Sequence, residues 1–264
     1  MLQQPLAERV TLQAWSAQSV GRTRTHMEDA AFALSMQMYL PERPVTLGIY
    51  MVADGMGGHD NGEVASKIAI QVSVDSLRQK LIDPLRQGES LPSDQEVLVM
   101  LENAITLAQE QVLLNVSGGG TTLTLALVLE KHLYFGHIGD SRLYFRSSHA
   151  DFQTITQDHS LVRRLVDLGQ ISEVDALHHP QRNVLFRALG QSEGFKVDLG
   201  HLDITEPSQL LICTDGLWGL ASEEELLKVI KSGSGTGNIA DRLCELANEA
   251  GGTDNISVIF VEIR

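Results

Sequence analysis

Four short acidic stretches contain the residues of this sequence that are best suited to chemistry. Each stretch lies at an end of a strand-like run, and in three of them the aspartate lies beside a turn-forming glycine or asparagine. The stretches are Met27-Glu28-Asp29, Val52-Ala53-Asp54-Gly55, Cys213-Thr214-Asp215-Gly216 and Gly252-Thr253-Asp254-Asn255. Strand ends can direct carboxylates into a common space, where they repel one another unless protons or cations neutralise them. Because all the candidate ligands are oxygens, the pattern predicts a site for hard cations such as Mg²⁺ or Mn²⁺ and not a structural Zn²⁺ site.

A single Asp-Gly pair is a weak signal, since this dipeptide is common in turns. Each pair, taken alone, is more readily explained as a turn than as a metal ligand. However, apolar runs at residues 47–53 and 210–213 precede Asp54 and Asp215, which places both aspartates at the ends of buried strands. The combination of several such stretches favours the metal site.

The overall composition argues against several classes of protein. The 264 residues are 43% hydrophobic, which is enough for a substantial core, and the formal net charge of −14 disfavours binding to nucleic acid or anionic lipid.

The two cysteines, Cys213 and Cys244, cannot form a disulfide framework or a Cys-x-x-Cys metal site, so a reducing compartment is expected. The apolar runs fall short of the roughly 18 residues of a membrane span, and no signal peptide is evident. We therefore expect a soluble, cytoplasmic and monomeric protein.

Strand-like runs recur along the chain and are bounded by turn-forming residues. They cover residues 11–20, 30–40, 45–53, 121–129, 132–138, 142–146, 196–202, 209–214 and 256–263. Short turns at Glu130-Lys131 and Gly139-Asp140-Ser141 join the three runs between residues 121 and 146. This spacing predicts an antiparallel meander with Asp140 at its second turn.

Helical spacing of apolar residues predicts the remaining elements. Helices are expected after Gly62, after a cap at Ser93 or Asp94, and at residues 161–168, 223–231 and 238–250, with a flexible linker at 232–237. The strands come in blocks with helices inserted in pairs, and not in regular alternation. The sequence therefore predicts an α+β fold in which a sandwich of antiparallel sheets is flanked by helices.

Six segments match the motifs of a known family: Arg24-Thr25-His26-Met27-Glu28-Asp29, Ala53-Asp54-Gly55-Met56-Gly57-Gly58, Gly120-Thr121-Thr122-Leu123, Gly139-Asp140-Ser141-Arg142, Cys213-Thr214-Asp215-Gly216-Leu217-Trp218 and Gly252-Thr253-Asp254-Asn255-Ile256-Ser257. On these segments, which follow the family's order from about Val10 to Val261, the chain resembles the metal-dependent protein phosphatases (PPM, the type 2C serine/threonine phosphatases). The resemblance implies one catalytic domain over residues 1–264, with a central β-sandwich flanked on both sides by pairs of helices. It also implies a flap, at about residues 159–190, beside the active site.

The same resemblance implies an activity and its central residues. Asp54 would bridge two Mg²⁺ or Mn²⁺ ions and be the catalytic carboxylate, the Gly55 carbonyl would bind one ion, and Asp215 and Asp254 would bind the other. A hydroxide bridging the metals would attack phosphoserine or phosphothreonine of protein substrates. The enzyme would oppose a cognate Ser/Thr kinase.

The resemblance implies supporting roles for four more residues. Glu28 and Asp29 would hold metal-bound waters, and Asp140 would join Asp215 at a third, weaker metal site. Arg24 would bind the substrate phosphate, which suits a planar guanidinium because its fork of N–H donors matches phosphate oxygens.

One position departs from many eukaryotic relatives. Met56 follows the Asp-Gly pair where those relatives often have histidine, so the group that protonates the leaving alkoxide is unassigned. His59 lies in a glycine-rich loop and is more readily explained as a solvated histidine than as an acid. A metal-bound water could serve instead.

Two alternative functions stay open. One is a non-catalytic module of the same fold that binds a phosphoprotein or a kinase, although retention of every candidate carboxylate argues against it. The other is a metal-dependent hydrolase of small phosphate esters, which only a comparison of substrates would separate from a protein phosphatase.

Overall fold

Two five-stranded antiparallel sheets form the centre of the computed structural model, which describes residues 10–40, 43–57, 60–148, 150–232 and 238–264. The strands are β1 (Leu12–Ser19), β2 (Ala30–Tyr39), β3 (Pro44–Ala53), β4 (Gly55–Met56), β5 (Gly120–Thr121), β6 (Leu123–Leu129), β7 (His132–Ile138), β8 (Arg142–Ser147), β9 (Gln153–Thr154), β10 (Asp198–Asp203), β11 (Ser208–Cys213) and β12 (Ile256–Ile263). The first sheet has the strand order β1-β12-β11-β8-β9 and the second has the order β10-β7-β6-β3-β2. Strands β4 and β5 form a separate short pair beside them.

The helices lie outside the two sheets. They are α1 (Asp60–Leu77), α2 (Asp83–Arg86), α3 (Asp94–Asn115), α4 (Leu161–Asp167), α5 (Glu173–Leu177), α6 (Asp215–Trp218), α7 (Glu223–Ser232) and α8 (Ile239–Glu249). A short π-helical segment, Arg78–Ile82, joins α1 to α2. Helix α3 begins with the expected cap, since the Ser93 side chain and the Glu96 backbone and carboxylate bond reciprocally in a capping box.

Strand β3 shows how the layers are built. Its successive side chains point to opposite faces, so Tyr50 and Val52 lie in the apolar layer between the sheets, whereas Ile49 and Met51 lie in the layer shared with α1 and α3. Both faces of the strand are buried. The uninterrupted apolar sequence before Asp54 therefore reflects a strand that is covered on both sides.

A second apolar layer joins the first sheet to α7 and α8. Ala240, Leu243 and Ala247 recur along one face of α8 and are buried against the sheet together with Phe260 of β12. Helices α1 and α3 cover the opposite sheet in the same way. The order of layers is thus helix pair, sheet, sheet and helix pair, which confirms the predicted α+β sandwich.

The predicted meander over residues 121–146 is wrong in its last step. Strand β6 pairs with β7, but β8 belongs to the other sheet, where it pairs with β11 and β9. Leu143 of β8 lies opposite Ile212 and is buried in the layer between the sheets, so burial and not turn length decides where the strand goes. Asp140 therefore lies where the chain crosses between the sheets, and not at the tip of a hairpin.

Three short helical segments have no counterpart among the predicted elements: residues 78–86, α5 and α6. Each is too short for helical periodicity to stand out from the sequence. The other predicted helices and strands occur, with small shifts at their ends. The expected linker at 232–237 lies outside the described residues except for Ser232, and His59 lies outside them as well.

Within the described part of the chain, α3 is the helix that is long and apolar enough to cross a membrane by length and composition. The apolar runs within this helix are still short, because Glu96, Glu102 and Glu110 interrupt them. Val97, Leu101, Ile105 and Val112 of α3 are fully buried in the apolar layer beside α1 and the second sheet. This is the environment of a core helix.

Candidate active site

A cavity of about 210 Å³ lies beside the ends of β3 and β11. Its lining comprises Arg24, Glu28, Asp54, Gly55, Met56, Gly57, Thr122, Asp140, Asn183, Leu185, Asp215, Asp254 and Asn255. The fold thus brings together all the predicted site residues except Asp29. Five of the lining residues are acidic, and they come from widely separated parts of the chain.

Asp54 is held by its backbone at the end of β3. Its N–H donates to Oγ1 of Thr122 at 2.9 Å, and its carbonyl accepts from the Thr122 N–H at 2.9 Å and from Oγ1 of Thr121 at 2.8 Å. Because these bonds satisfy the backbone, they fix the position of a carboxylate that lines the cavity. Both threonines lie in one of the six segments that match the family, but the sequence did not show what they contact.

Gly55 sits where three segments meet. A Cβ at this position would lie 2.2 Å from the Gly62 carbonyl oxygen and 2.4 Å from that of Glu28, so no side chain fits. The same Glu28 carbonyl accepts a bond from Oγ of Ser66 in α1 at 2.6 Å. The start of α1 and the segment carrying Glu28 are thereby locked against β4.

Asp215 is the first residue of α6 and directly follows the buried end of β11 through Thr214. The next residue, Gly216, packs so closely on Asn255 that a Cβ would lie 2.0 Å from the Asn255 carbonyl oxygen. This close approach brings the chain segments of Asp215 and Asp254 together. It could not be read from the Asp-Gly dipeptide alone.

Asp29 lies behind the cavity and not in its wall. Its Oδ2 accepts a bond from Oγ1 of Thr214 at 2.9 Å, and that hydroxyl in turn accepts the Ser257 N–H at 3.0 Å. The side chain is buried, and its Oδ1 has no hydrogen-bond partner. A water-holding role for Asp29 stays a prediction.

Asn255 organises the acidic residues that lie around it. Its Oδ1 accepts the Glu28 N–H at 2.6 Å, and its Nδ2 donates to the carbonyls of Val20 and His26 at 3.0 and 2.9 Å. Its own N–H donates to Oδ1 of Asp254 at 2.8 Å. Its place in the Gly-Thr-Asp-Asn segment was visible in the sequence, but these long-range contacts were not.

Asp140 is buried at the crossing between the sheets. Oγ of the next residue, Ser141, lies 2.8 Å from Oγ1 of Thr122, which also holds Asp54, so the two aspartates share a support. Nε1 of Trp218 donates to the Asp140 carbonyl at 3.0 Å. Trp218 therefore braces the Asp140 turn beside the cavity.

Arg24 lies at the edge of the cavity and places its charge beside the acidic cluster. Its Nη2 donates to Oδ2 of Asp254 at 2.8 Å, and its side chain is 49% exposed. Desolvation opposes its charge, but Asp254 together with Glu28 and Asp54 raises the pKa of Arg24 overall. The guanidinium is permanently charged.

Burial and mutual repulsion dominate the electrostatics of the cluster. Desolvation, followed by the charges of neighbouring aspartates, holds the pKa of both Asp54 and Asp140 well above its ordinary value. The same causes, with desolvation first, raise the pKa of Asp215 to about 6 and that of Asp29 to about 7. Bound cations would relieve this repulsion and favour the ionised carboxylates.

The residues present fit divalent cations. Oδ1 of Asp215 and Oδ1 of Asp29 are buried without a hydrogen-bond partner, which is costly unless a ligand supplies one. Among the described residues, no three carboxylate, imidazole or thiol groups lie close enough together to coordinate one ion as they stand. The oxygen ligands suit Mg²⁺ or Mn²⁺, and Asp54, Asp215 and Asp254 would have to draw closer together to surround one ion.

The wall of the cavity contains Met56 and Leu185 beside the polar groups, and no histidine among the residues that the structure describes lines it. The position after the Asp-Gly pair therefore presents a thioether instead of an acid. His178 and His179 lie within residues 159–190, the predicted flap, and Nδ1 of His179 accepts the Gln181 N–H at 3.1 Å. Neither histidine is part of the cavity wall.

Comparison with known proteins gives the family of this chain. A family model described as Protein phosphatase 2C matches residues 40–248. The serine/threonine phosphatase stp of Listeria monocytogenes is 34% identical over 248 residues, which cover 92% of each chain. The solved serine/threonine phosphatase PstP/Ppp of Mycobacterium tuberculosis is 30% identical, with a TM-score of 0.76 over 95% of this chain and 98% of that one. The catalytic domain of PstP, solved in complex with two manganese ions, is 28% identical, with a TM-score of 0.75 over 96% of this chain and 99% of that one.

A metal-dependent phosphatase is thus the class of enzyme that agrees with both the acidic cavity and the four-layer fold. The chain belongs to the protein phosphatase 2C (PPM) family. It is a protein serine/threonine phosphatase that depends on divalent metal ions.

Proposed function

We propose that this enzyme hydrolyses phosphoserine and phosphothreonine on proteins with two divalent cations, Mn²⁺ or Mg²⁺, held in the acidic cavity. The observation that carries the proposal is the group of buried carboxylates whose pKa values are raised because they are desolvated and repel one another. Such an arrangement is unfavourable without cations and becomes favourable with them.

The family resemblance suggests the ligands, and the lining of the cavity supports them. Asp54 would contact both ions, the Gly55 carbonyl one of them, and Asp215 and Asp254 the other. When bound, a cation pair lowers the pKa of coordinated water and neutralises charge on the phosphoryl oxygens, which is the nucleophile activation that a phosphate monoester needs. The position between the two ions suits Asp54, because its backbone N–H and carbonyl are both hydrogen-bonded at the end of β3.

Three further carboxylates would act around this centre. Glu28, whose backbone is fixed by Asn255, lines the cavity and would orient water. Asp29 would act from behind the wall, through its contact with Thr214. Asp140 would join Asp215 at a third, weaker cation site. Both residues line the cavity, and the charge of Asp215 raises the pKa of Asp140 more than any other neighbouring charge does.

Arg24 would bind the phosphate of the substrate. Its pairing with Asp254 uses one terminal nitrogen and fixes the direction of the guanidinium, while about half of the side chain stays exposed. The remaining N–H donors can bond two phosphate oxygens at once. Arg24 thus holds and orients the substrate at the edge of the acidic cluster.

Substrate comparison tests the proposal directly. Purified enzyme with Mn²⁺ should hydrolyse a phosphothreonine peptide, and EDTA should stop the reaction. A set of small phosphate esters, assayed at equal concentration, should be hydrolysed less efficiently than the peptide. Efficient turnover of a metabolite with none of the peptide would instead favour the small-ester hydrolase.

The cellular setting is part of the same proposal. We expect a monomeric cytoplasmic enzyme with one catalytic domain and a flap at residues 159–190, acting against a Ser/Thr kinase. Phosphoproteomics of cells with and without the gene should show phosphoserine and phosphothreonine sites that rise in its absence. Sites that also depend on one kinase would identify the opposing partner.

A further inference from the structure

Asp198 is a carboxylate outside the active-site cavity whose contacts lead back to it. It is the first residue of β10, and its side chain is 36% exposed. Its Oδ2 lies 3.0 Å from Nε2 of His159, and its Oδ1 accepts from Nη1 of Arg187 at 3.2 Å. His159 and Arg187 lie near the two ends of the flap. Asp198 therefore joins both flap ends to the second sheet.

His159 connects Asp198 with the turn that carries Asp140. The His159 N–H donates to the Gly139 carbonyl at 2.7 Å, and the Gly139 N–H donates to Nδ1 of the imidazole at 3.1 Å. A backbone N–H can only donate, so Nδ1 must be unprotonated and Nε2 must carry the proton that Asp198 accepts. The side chain is 3% exposed, and burial, against the opposing effect of Asp198, lowers the pKa of His159.

The backbone of His159 also holds the returning end of the flap. Its carbonyl accepts the Phe186 N–H at 2.9 Å, and the Phe186 ring lies 5.7 Å from the imidazole. The neighbouring residues Ser160 and Leu185 form an isolated antiparallel bridge. The two flap ends cannot separate without breaking contacts around His159.

We propose that Asp198, through His159, positions the Asp140 turn and both ends of the flap as one unit. Asp198 orients the imidazole, the imidazole holds Gly139, and Gly139 fixes the adjacent Asp140. Neither Asp198 nor His159 lines the active-site cavity, so both are positioning residues. The inference rests on the proposed role of Asp140 in cation binding. Loss of the link should weaken the Asp140 site and leave the Asp54 centre intact.

Hydrogen exchange of the metal-free protein tests the link without any assay of activity. Asp198→Ala should accelerate exchange of the segments containing the Gly139 and Phe186 amides by about tenfold, the effect of losing one supporting hydrogen bond. Asp203→Ala is the matched control, because Asp203 lies at the other end of β10 and contacts His132. Unchanged exchange at both segments in Asp198→Ala would overturn the proposal.

Two substitutions of His159 separate positioning from a general loss of structure. In His159→Asn, the side-chain amide lies near the position of Nδ1 and can accept the Gly139 N–H. In His159→Gln, the amide lies near the position of Nε2 and can reach only Asp198. Phosphatase activity is titrated with Mn²⁺, and the phase that needs the higher Mn²⁺ concentration reports the weaker cation site. In this phase the Gln variant and Asp198→Ala should need about tenfold more Mn²⁺ for half-maximal activity. The Asn variant keeps the acceptor for Gly139 but loses the contact with Asp198, so its Mn²⁺ requirement should rise less than that of the Gln variant. The kcat at saturating Mn²⁺ should be retained in all three variants.

Each outcome of these experiments supports or contradicts the link. Equal Mn²⁺ dependence of the Asn and Gln variants, or a loss of kcat with no change in Mn²⁺ dependence, would contradict it. An Asp140→Asn variant identifies the weaker phase of the wild-type titration. A wild-type enzyme without Mn²⁺-dependent phosphatase activity would refute the proposed function, while the exchange experiment would still decide whether Asp198 holds the turn.

Discussion

Arg24 is the cationic side chain in the wall of the cavity among the described residues, and its neighbours define what it can do. Asp254 aligns the guanidinium through one bond, and about half of the side chain is exposed. The charge of the arginine does not remove the repulsion within the cluster, since desolvation and the neighbouring aspartates keep the pKa of Asp54 well above its ordinary value. We therefore propose that Arg24 acts on the substrate and not on the neutralisation of the cluster.

Arg24→Ala should raise KM for a phosphothreonine peptide by about tenfold or more, with a smaller loss of kcat. Charge-assisted bonds of this kind contribute about 1.5–3 kcal/mol. Arg24→Lys keeps the charge but not the fork, so it should recover only part of the loss. Steady-state kinetics at saturating Mn²⁺ measure both parameters, and an unchanged KM in the alanine variant would contradict phosphate binding by Arg24.

Asn255→Ala should lower kcat by about 10- to 100-fold, the usual effect of losing a residue that orients metal ligands. The amide contacts three backbone groups, so the free energy of unfolding should also fall by about 1–3 kcal/mol. Asn115→Ala, at the exposed end of α3, is the matched control. Equal kinetics of the two variants would show that Asn255 does not organise the site.

At the scale of the elements, the site depends on where strands end and what packs against those ends. Buried strands followed by Asp-Gly made Asp54 and Asp215 predictable, because an apolar run that stops at an aspartate is a local pattern. The crossing of β8 to the other sheet was not predictable, because the three residues after β7 also suit a hairpin. The contacts of Asn255 were hidden for the same reason, since they join segments more than 220 residues apart.

Gly216→Ala should disrupt the junction between α6 and the loop that carries Asp254. A Cβ there would meet the Asn255 carbonyl at 2.0 Å, and backbone on both sides prevents an easy adjustment. We expect a loss of about 3 kcal/mol or more in the free energy of unfolding, together with weaker Mn²⁺ binding. Denaturant unfolding with EDTA and with Mn²⁺ measures both effects.

Gly169→Ala provides the comparison for this substitution. Gly169 has a φ of +68°, and a Cβ added there would meet no heavy atom within 4 Å, so the change should cost only about 1 kcal/mol of local strain. Its Mn²⁺ binding should match the wild type. A Gly216→Ala variant that is as stable and as avid for Mn²⁺ as Gly169→Ala would refute the close approach of α6 to Asn255.

For the whole molecule, the acidic cluster links metal binding to stability. The folded carboxyls of Asp29 and Asp215 bind protons more tightly than unfolded ones, since their pKa values rise from 3.8 to about 7 and about 6. In the metal-free protein their contribution is therefore fully present at low pH and is lost as the pH rises from about 4 to about 7. Bound cations would replace the protons and remove this loss.

Urea unfolding in EDTA at several pH values tests this linkage. The difference in the free energy of unfolding between the wild type and Asp29→Asn should change by about 1 kcal/mol for each pH unit within the window, with the wild type losing stability as the pH rises. Taking the difference between the two proteins cancels titrating groups that Asp29 does not perturb, such as the buried His137, whose pKa is lowered to about 4. A flat difference would show that Asp29 is ionised throughout the window.

Calorimetric titration of the metal-free enzyme with Mn²⁺ near pH 7.5 measures whether the acidic cavity holds its cations. We predict uptake of at least two ions by the wild type, and we predict that Asp54→Asn, which removes one charge from the cluster, loses this uptake while remaining folded. Thermal unfolding of both proteins in EDTA checks the fold. A wild-type enzyme that takes up no Mn²⁺, or an Asp54→Asn variant that binds Mn²⁺ and turns over substrate like the wild type, would contradict a cation centre built on Asp54.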